Sequence, residues 1–387
     1  RMAKEPERVM DLLNQLWDAA LPVAKEERQE MQQIINEEGK DFELKSWDWW
    51  YYAEKLRKRK YNLDDSELRP YFQLDYVRQG AFDVATKLYG LTFEEVKDIP
   101  KPHPDARAWE VKESDGSHLG LLYMDFHPRQ SKNGGAWCGS YRSHYENQQG
   151  EEVHPVKTVV CNFTTPTEDK PALLSMDEVE TLFHEFGHAL DGLFAENTYP
   201  RTFVARDFVE LPSQIMEHWS THPKVMKEYA RHYETGESIP DKLIKKIEKS
   251  SYFNQGFDNV EYLAASMLDM AYHTLSEPKD LNVMEFEKQY LDKIGLIPEI
   301  EPRYHSTYFS HITGGYSAGY YSYIWSAVLD NDAFGAFEKN GIYDQQTAEA
   351  FRTLLAKNGI KDPMKLYVDF RGREPKIDAL LRNRGLK

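Results

Sequence analysis

The stretch TLFHEFGHAL, residues 181 to 190, sets His184 and His188 four residues apart, with Glu185 directly after the first. On an α-helix four residues advance about 400° and about 6 Å, so both imidazoles project from one face, one turn apart. Nitrogens so placed can meet a single divalent ion at about 2.0 to 2.1 Å. Glu185 is rotated about 100° from His184 and stands beside such an ion without ligating it, where a carboxylate can take a proton from a water. That is the zinc-peptidase reading of H-E-x-x-H. The competing reading is two ordinary histidines on a packed helix, since the chain holds 13 histidines and the bare motif arises by chance.

The setting favours the metal. Ser175, followed three residues later by Glu178, has the form of a capping box, and Val179, Leu182, Phe183, Phe186, Leu190, Leu193 and Phe194 continue it as an apolar helical stripe. The expected helix spans 175–196. Gly187 removes side-chain bulk beside the pair, where a substrate or a second helix can approach.

A catalytic zinc needs a third protein ligand and an open position. Glu196 lies eight residues beyond His188, too far along the same helix. The next segment, RDFVELPSQIMEHW, offers Asp207, Glu210 and Glu217. Glu210 and Glu217 share a helical face, and Glu210 comes first, 22 residues after His188. Glu217 or Glu180 is then available to hold the far nitrogen of a ligand imidazole.

These residues need elements to position them. Val9, Leu12, Leu13, Leu16, Trp17 and Ala20 recur at helical spacing, and Pro22 predicts a break before a second helix from Lys25. The tract from Phe42 to Val96 also reads as helical, with Gly90 as the C-cap of a helix starting near Ala81, so residues 1–100 are expected to be all-α. After IPKPHP, RAWEVKESDGSHLGLLYMDF reads as a strand, a turn at Asp115-Gly116 and a second strand from His118 to Phe126. WCGSYR and VKTVVCNFT add strand candidates, making a small antiparallel sheet within 105–165, beside the HEFGH helix. From Asp207 onward the pattern is again helical apart from the Gly-rich HITGGYSAGYY. The fold class expected is mainly α, in the α+β sense, with residues 101–387 as the catalytic region.

Composition sets the bounds. With 387 residues, 41% apolar and 13% aromatic, the chain can bury a large cleft. A net charge of −16 argues against a nucleic-acid partner. Only Cys138 and Cys161 occur, so a metal must rest on histidines and carboxylates. No run of 18 apolar residues offers a membrane span. The start at Arg1, directly in a helical pattern, leads us to expect a segment upstream, targeting region included, which leaves compartment open.

FHEFGHAL, then RDFVELPSQIMEHW, then FSHITGGYSAGYYSYIW resemble the thimet oligopeptidase family of zinc peptidases, and most of all its bacterial peptidyl-dipeptidase (dipeptidyl carboxypeptidase) branch. KNGGAW and FRGREPKIDALL extend the likeness through nearly the whole chain, which resembles the C-terminal, catalytic half of that family. The resemblance implies one zinc per chain on His184, His188 and Glu210, with Glu185 as general base. It assigns carbonyl and oxyanion contacts to Tyr316 and Tyr323, and substrate or transition-state hydrogen bonding to His311. The pattern departs at Asp191, where the family carries histidine, and this bears on zinc affinity. Tyr316, Tyr320 and Tyr323 are spaced four and three apart, so their O–H groups can donate to a developing oxyanion, although aromatic residues at that spacing also pack as core. Gly314, Gly315 and Gly319 make 311–323 a loop able to close on substrate, with Tyr320 in contact with it.

The activity implied is hydrolysis of short unfolded peptides by a monomer of bacterial cytoplasm or periplasm, with release of C-terminal dipeptides. Arg303 is the candidate for holding the substrate's terminal carboxylate. An endo-acting oligopeptidase is the alternative within the class; a non-catalytic peptide-binding module with structural or no zinc is the alternative outside it.

Overall fold

The computed structural model describes residues 1–62, 64–200, 204–277 and 279–387. Helices α1 (Pro6–Glu37), α2 (Trp49–Tyr61), α3 (Asp65–Leu68) and α4 (Leu74–Tyr89) lead into strands β1 (Thr92–Glu95), β2 (Arg107–Lys112), β3 (His118–Asp125), β4 (Trp137–Arg142), β5 (Tyr145–Glu146), β6 (Glu152–Val153) and β7 (Val156–Val160). Then come α5 (Met176–Phe194), α6 (Leu211–Thr221), α7 (Pro223–Tyr229), α8 (Asp241–Ser250), α9 (Gln255–His273) and α10 (Val283–Ile294). A segment without helix or strand follows, and α11 (Ser322–Asn340), α12 (Gln345–Ala356), α13 (Pro363–Arg371) and α14 (Asp378–Asn383) close the chain. The fold is mainly helical, as expected.

Helix α1 runs unbroken through Pro22, against the expected break. The lost N–H bond costs about 3 kcal/mol in a helix interior. Pro22 lies on the exposed face, while Val9, Leu13, Leu16, Ala24, Met31 and Ile35 form one buried stripe on both sides of it, with α9 packed against the helix. Burying a single large apolar side chain returns about 1.5 to 3 kcal/mol, so a continuous stripe outweighs the proline.

The first hundred residues are not all helical either. β1 joins the sheet edge, pairing Thr92 with Lys112, and the Phe93 ring stacks on Phe82 at 4.1 Å. Packing of one aromatic overrides the helical preference of the glutamates that follow it. Gly90 does cap α4, with φ of +73°, but that helix starts at Leu74 rather than near Ala81. The five-stranded sheet has the order β1-β2-β3-β7-β4. β2–β3, the hairpin about Gly116, and β4–β7 are antiparallel as expected; β3–β7, from Leu121 opposite Val156 to Asp125 opposite Val160, is parallel, so the sheet is mixed. β7 enters between β3 and β4 in the direction of β3. Alternation of side chains is the same for both senses of pairing, so the residues carry no signal for this.

Helix α5 packs against β7, β4 and β3 on one side and α6 on the other. Ser175 Oγ accepts the Glu178 N–H at 3.2 Å, and Glu178 accepts the Ser175 N–H at 2.8 Å, the capping box expected. Glu178 also accepts the Thr164 N–H at 2.6 Å, tying the helix start to the chain leaving the sheet.

Candidate metal centre and catalytic site

His184 and His188 sit two to three turns into α5, on the face toward α6. Gly187 lets the two helices meet: a Cβ there would stand 2.2 Å from the Pro212 carbonyl oxygen. The approach places Glu210, the residue just before α6, over the histidine pair. Its Oε2 is 3.4 Å from His184 Nε2 and 3.1 Å from His188 Nε2. Ligands of a tetrahedral ion with bonds of about 2.1 Å lie about 3.4 Å apart, so the two sides through Glu210 suit a zinc-type donor triangle. The three ligand atoms lie within 4.8 Å of one another, and among the described residues this is the one His/Cys/Asp/Glu group so gathered.

What surrounds the triangle fixes its orientation. Glu217 Oε1 takes His184 Nδ1 at 2.6 Å, turning Nε2 toward Glu210. Glu180 does not share this duty; burial, then the charge of Glu217, pushes its carboxyl up to about 8. Burial opposes a charged His184, but hydrogen bonds to Glu210 and Glu217 prevail and hold it up to about 10. Glu210 is resisted by burial yet held well below the usual carboxylate range by the two imidazoles. The cluster without an ion therefore retains a proton on nitrogen that a metal would replace. Asp191 points elsewhere, accepting Asn358 Nδ2 at 3.1 Å, and Glu196 lies beyond the end of α5 with its N–H on Ala356 O.

Glu185 is 5% exposed, and its Oε2 is buried without a protein partner. Burial raises its pKa against the pull of His184 and His188. A buried, raised, unpartnered carboxylate beside three metal-type ligands is what proton transfer from water needs.

The tyrosines reach the same point from the other side. Tyr316 donates to Glu210 Oε1 at 2.9 Å, its ring stacks on Tyr323 at 5.1 Å, and the Arg206 guanidinium stands 4.6 Å from its centroid. Burial, then the Glu210 charge, pushes its hydroxyl up to about 12, so it stays a donor at neutral pH. A cleft of about 920 Å³, within the range of ligand pockets, is lined by Glu217, Arg303, Tyr304, His311, Tyr320 and Tyr323 among others. His311 Nδ1 is buried without a protein partner, and burial, then the Arg303 charge, lowers its pKa, keeping it neutral. Tyr320 is only 3% exposed and packs on Tyr304, Phe309 and His311, so it is more wall than contact.

Two fully buried carboxylates serve the architecture: Asp207, offered by the sequence as a third ligand, lies outside the His184–His188–Glu210 group, and Asp269 is not singled out by spacing. Asp207 accepts the N–H groups of Met2 at 2.8 Å and Ala3 at 3.0 Å and the Tyr321 O–H at 2.9 Å. Asp269 accepts three backbone amides from 318–320. The one sequence signal for Asp269 is its place: an acid between Leu268 and Met270, in the apolar second half of a helix whose other acids, Asp258 and Glu261, lie in the first half.

The sequence profile of Peptidase family M3 matches residues 1–386. The dipeptidyl carboxypeptidase of Salmonella typhimurium is 44% identical over 394 aligned residues, covering 100% of this chain and 58% of that protein. Oligopeptidase A of Escherichia coli K12 is 36% identical over 100% of this chain and 58% of its own length. The chain thus spans less than two thirds of the curated relatives it matches. Among solved structures, PZ peptidase A with an inhibitor superposes with a TM-score of 0.57 at 14% identity, over 100% of this chain and 58% of that one, which speaks to fold alone. A profile match over essentially the whole chain, on top of the His-His-Glu geometry, establishes that the chain belongs to Peptidase family M3.

Proposed function

We propose that this chain is the catalytic part of a zinc peptidase that removes dipeptides from the C-terminus of short unfolded peptides. The observation that carries the reading is the convergence of His184, His188 and Glu210 on one point, with the unpartnered carboxylate of Glu185 beside it. Zinc held by those three residues would supply Lewis acidity to the scissile carbonyl and to the attacking water. Glu217 orients His184 through Nδ1. Glu185 takes the proton of the attacking water and hands it to the leaving amine nitrogen. Tyr316 and Tyr323 donate O–H to the oxyanion of the tetrahedral intermediate, and His311, neutral, donates to a substrate carbonyl. Tyr316 must leave Glu210 to do so, a rotation its Gly-rich surroundings permit.

Exo specificity draws support from the dipeptidyl carboxypeptidase relative and from Arg303, whose guanidinium faces the same cleft as His311 and Tyr323. A free-acid nonapeptide and its C-terminally amidated twin, followed by mass spectrometry, test it. Stepwise dipeptide loss from the free acid alone, with Arg303→Ala raising KM for that substrate, is expected. Internal cleavage of both peptides would place the chain with the oligopeptidases instead.

A further inference from the structure

Residues 311–321 carry His311, Tyr316 and Tyr320 yet form no helix or strand, so something outside the segment must hold it. α9 does so at two points. Asp269 Oδ1 accepts the Ala318 N–H at 3.0 Å, and Oδ2 accepts those of Gly319 and Tyr320 at 2.9 Å each. Seven residues earlier on the same face, the Tyr262 hydroxyl donates to the Tyr320 carbonyl and accepts the Ile324 N–H at 3.3 Å. Three successive amides converging on one carboxylate form an anion nest, and His273 Nδ1 stands 2.8 Å from Oδ1 on the same carboxylate. The backbone is held in an uncommon shape there, with Ala318 at φ +46°. Asp269 is fully buried and lines none of the cleft, so it touches no substrate.

We propose that Asp269 is a positioning residue: its carboxylate fixes the turn from which the Tyr316 phenol swings from Glu210 to the oxyanion, and so governs the chemical step rather than substrate affinity. The inference rests on the peptidase reading above. Tyr316 lies two residues before the nest, and Asn at 269 would offer one acceptor oxygen and turn an NH2 group toward backbone N–H donors. The turn would then rotate and carry the phenol off its place, and displacements of about 1 Å at a reacting centre cost about 100-fold. Tyr262→Phe should do the same more weakly.

The test is a double-variant cycle on the metal-loaded protein. Asp269→Asn should lower kcat by about 10- to 100-fold with KM changed less than about 2-fold and metal content unchanged. In a Tyr316→Phe background the same substitution should cost less than about 3-fold, because the residue it positions is already silenced. An equal loss in both backgrounds, or a rise in KM alone, would overturn the proposal. Should Asp269→Asn fail to fold, the Tyr262→Phe cycle is read by the same rule. Absence of turnover by the wild-type chain would sink the peptidase reading and leave this one to hydrogen exchange: the 318–320 amides must be protected in the wild type and released in either variant, and fast exchange in the wild type refutes the nest.

Discussion

The α5–α6 pair and the 311–321 turn each bring chemistry to the same few ångströms, and they are held in opposite ways. The first is local: a capped helix with four-residue spacing, one glycine at the crossing and one carboxylate at the start of the next helix. The second has no regular structure of its own and takes its shape from Asp269 and Tyr262 on α9 and, through Tyr321, from Asp207. The rigid helices suit a donor set that must hold one triangle; the turn suits hydroxyls that must change partner during a reaction. Tyr316 sits where the two meet, bonded to Glu210 from the turn side.

Experiments can separate the halves. Chelation strips the helix pair of its ion and leaves the turn intact, so hydrolysis should fall more than about 10,000-fold and return with one equivalent of zinc; residual activity in the chelated protein would break the division. Tyr316→Phe strikes the turn alone. It should lower kcat about 100- to 1,000-fold, with metal stoichiometry by mass spectrometry unchanged.

Glu217→Ala strikes the support of His184 and should weaken metal affinity about 10- to 100-fold in a competition titration. The same titration carries a pH signature. With His184 protonated up to about 10 in the metal-free site and needed neutral to bind, affinity should rise about tenfold per unit as pH climbs toward that value. Falling affinity over neutral to alkaline pH would contradict the assignment. The mildest effect on turnover per folded molecule is expected of Gly187→Ala, whose Cβ meets Pro212 O and should cost about 1 to 3 kcal/mol of stability in thermal melts. An unchanged melting temperature would mean that the helix crossing is looser than 2.2 Å implies.

Legibility in the sequence followed the same division. The capping box, the histidine face, the preference for Glu210 and the candidacy of Glu217 all follow from helical periodicity over at most 33 residues, the separation of His184 and Glu217. Helical character along most of the chain was legible for the same reason. The parallel β3–β7 pair, the passage of α1 through Pro22 and strand β1 were not, because each is decided by a distant partner surface rather than by neighbours in sequence. Asp269 sits about 50 residues from the amides it binds, and nothing in its local pattern says that a turn lies over it. Arg303, singled out for its place just before the His311 loop, lines the cleft, whereas Tyr320, alike in sequence to Tyr316 and Tyr323, faces mostly into packed rings.

The central claim is that His184, His188 and Glu210 hold the metal while Glu185 moves the proton. Glu185→Gln keeps the side chain's shape and all three ligands, so zinc stoichiometry and peptide turnover measured on one preparation test it most directly. The account predicts one zinc per chain with kcat reduced about 100- to 10,000-fold. A variant that keeps its zinc and still cleaves at the wild-type rate would contradict it.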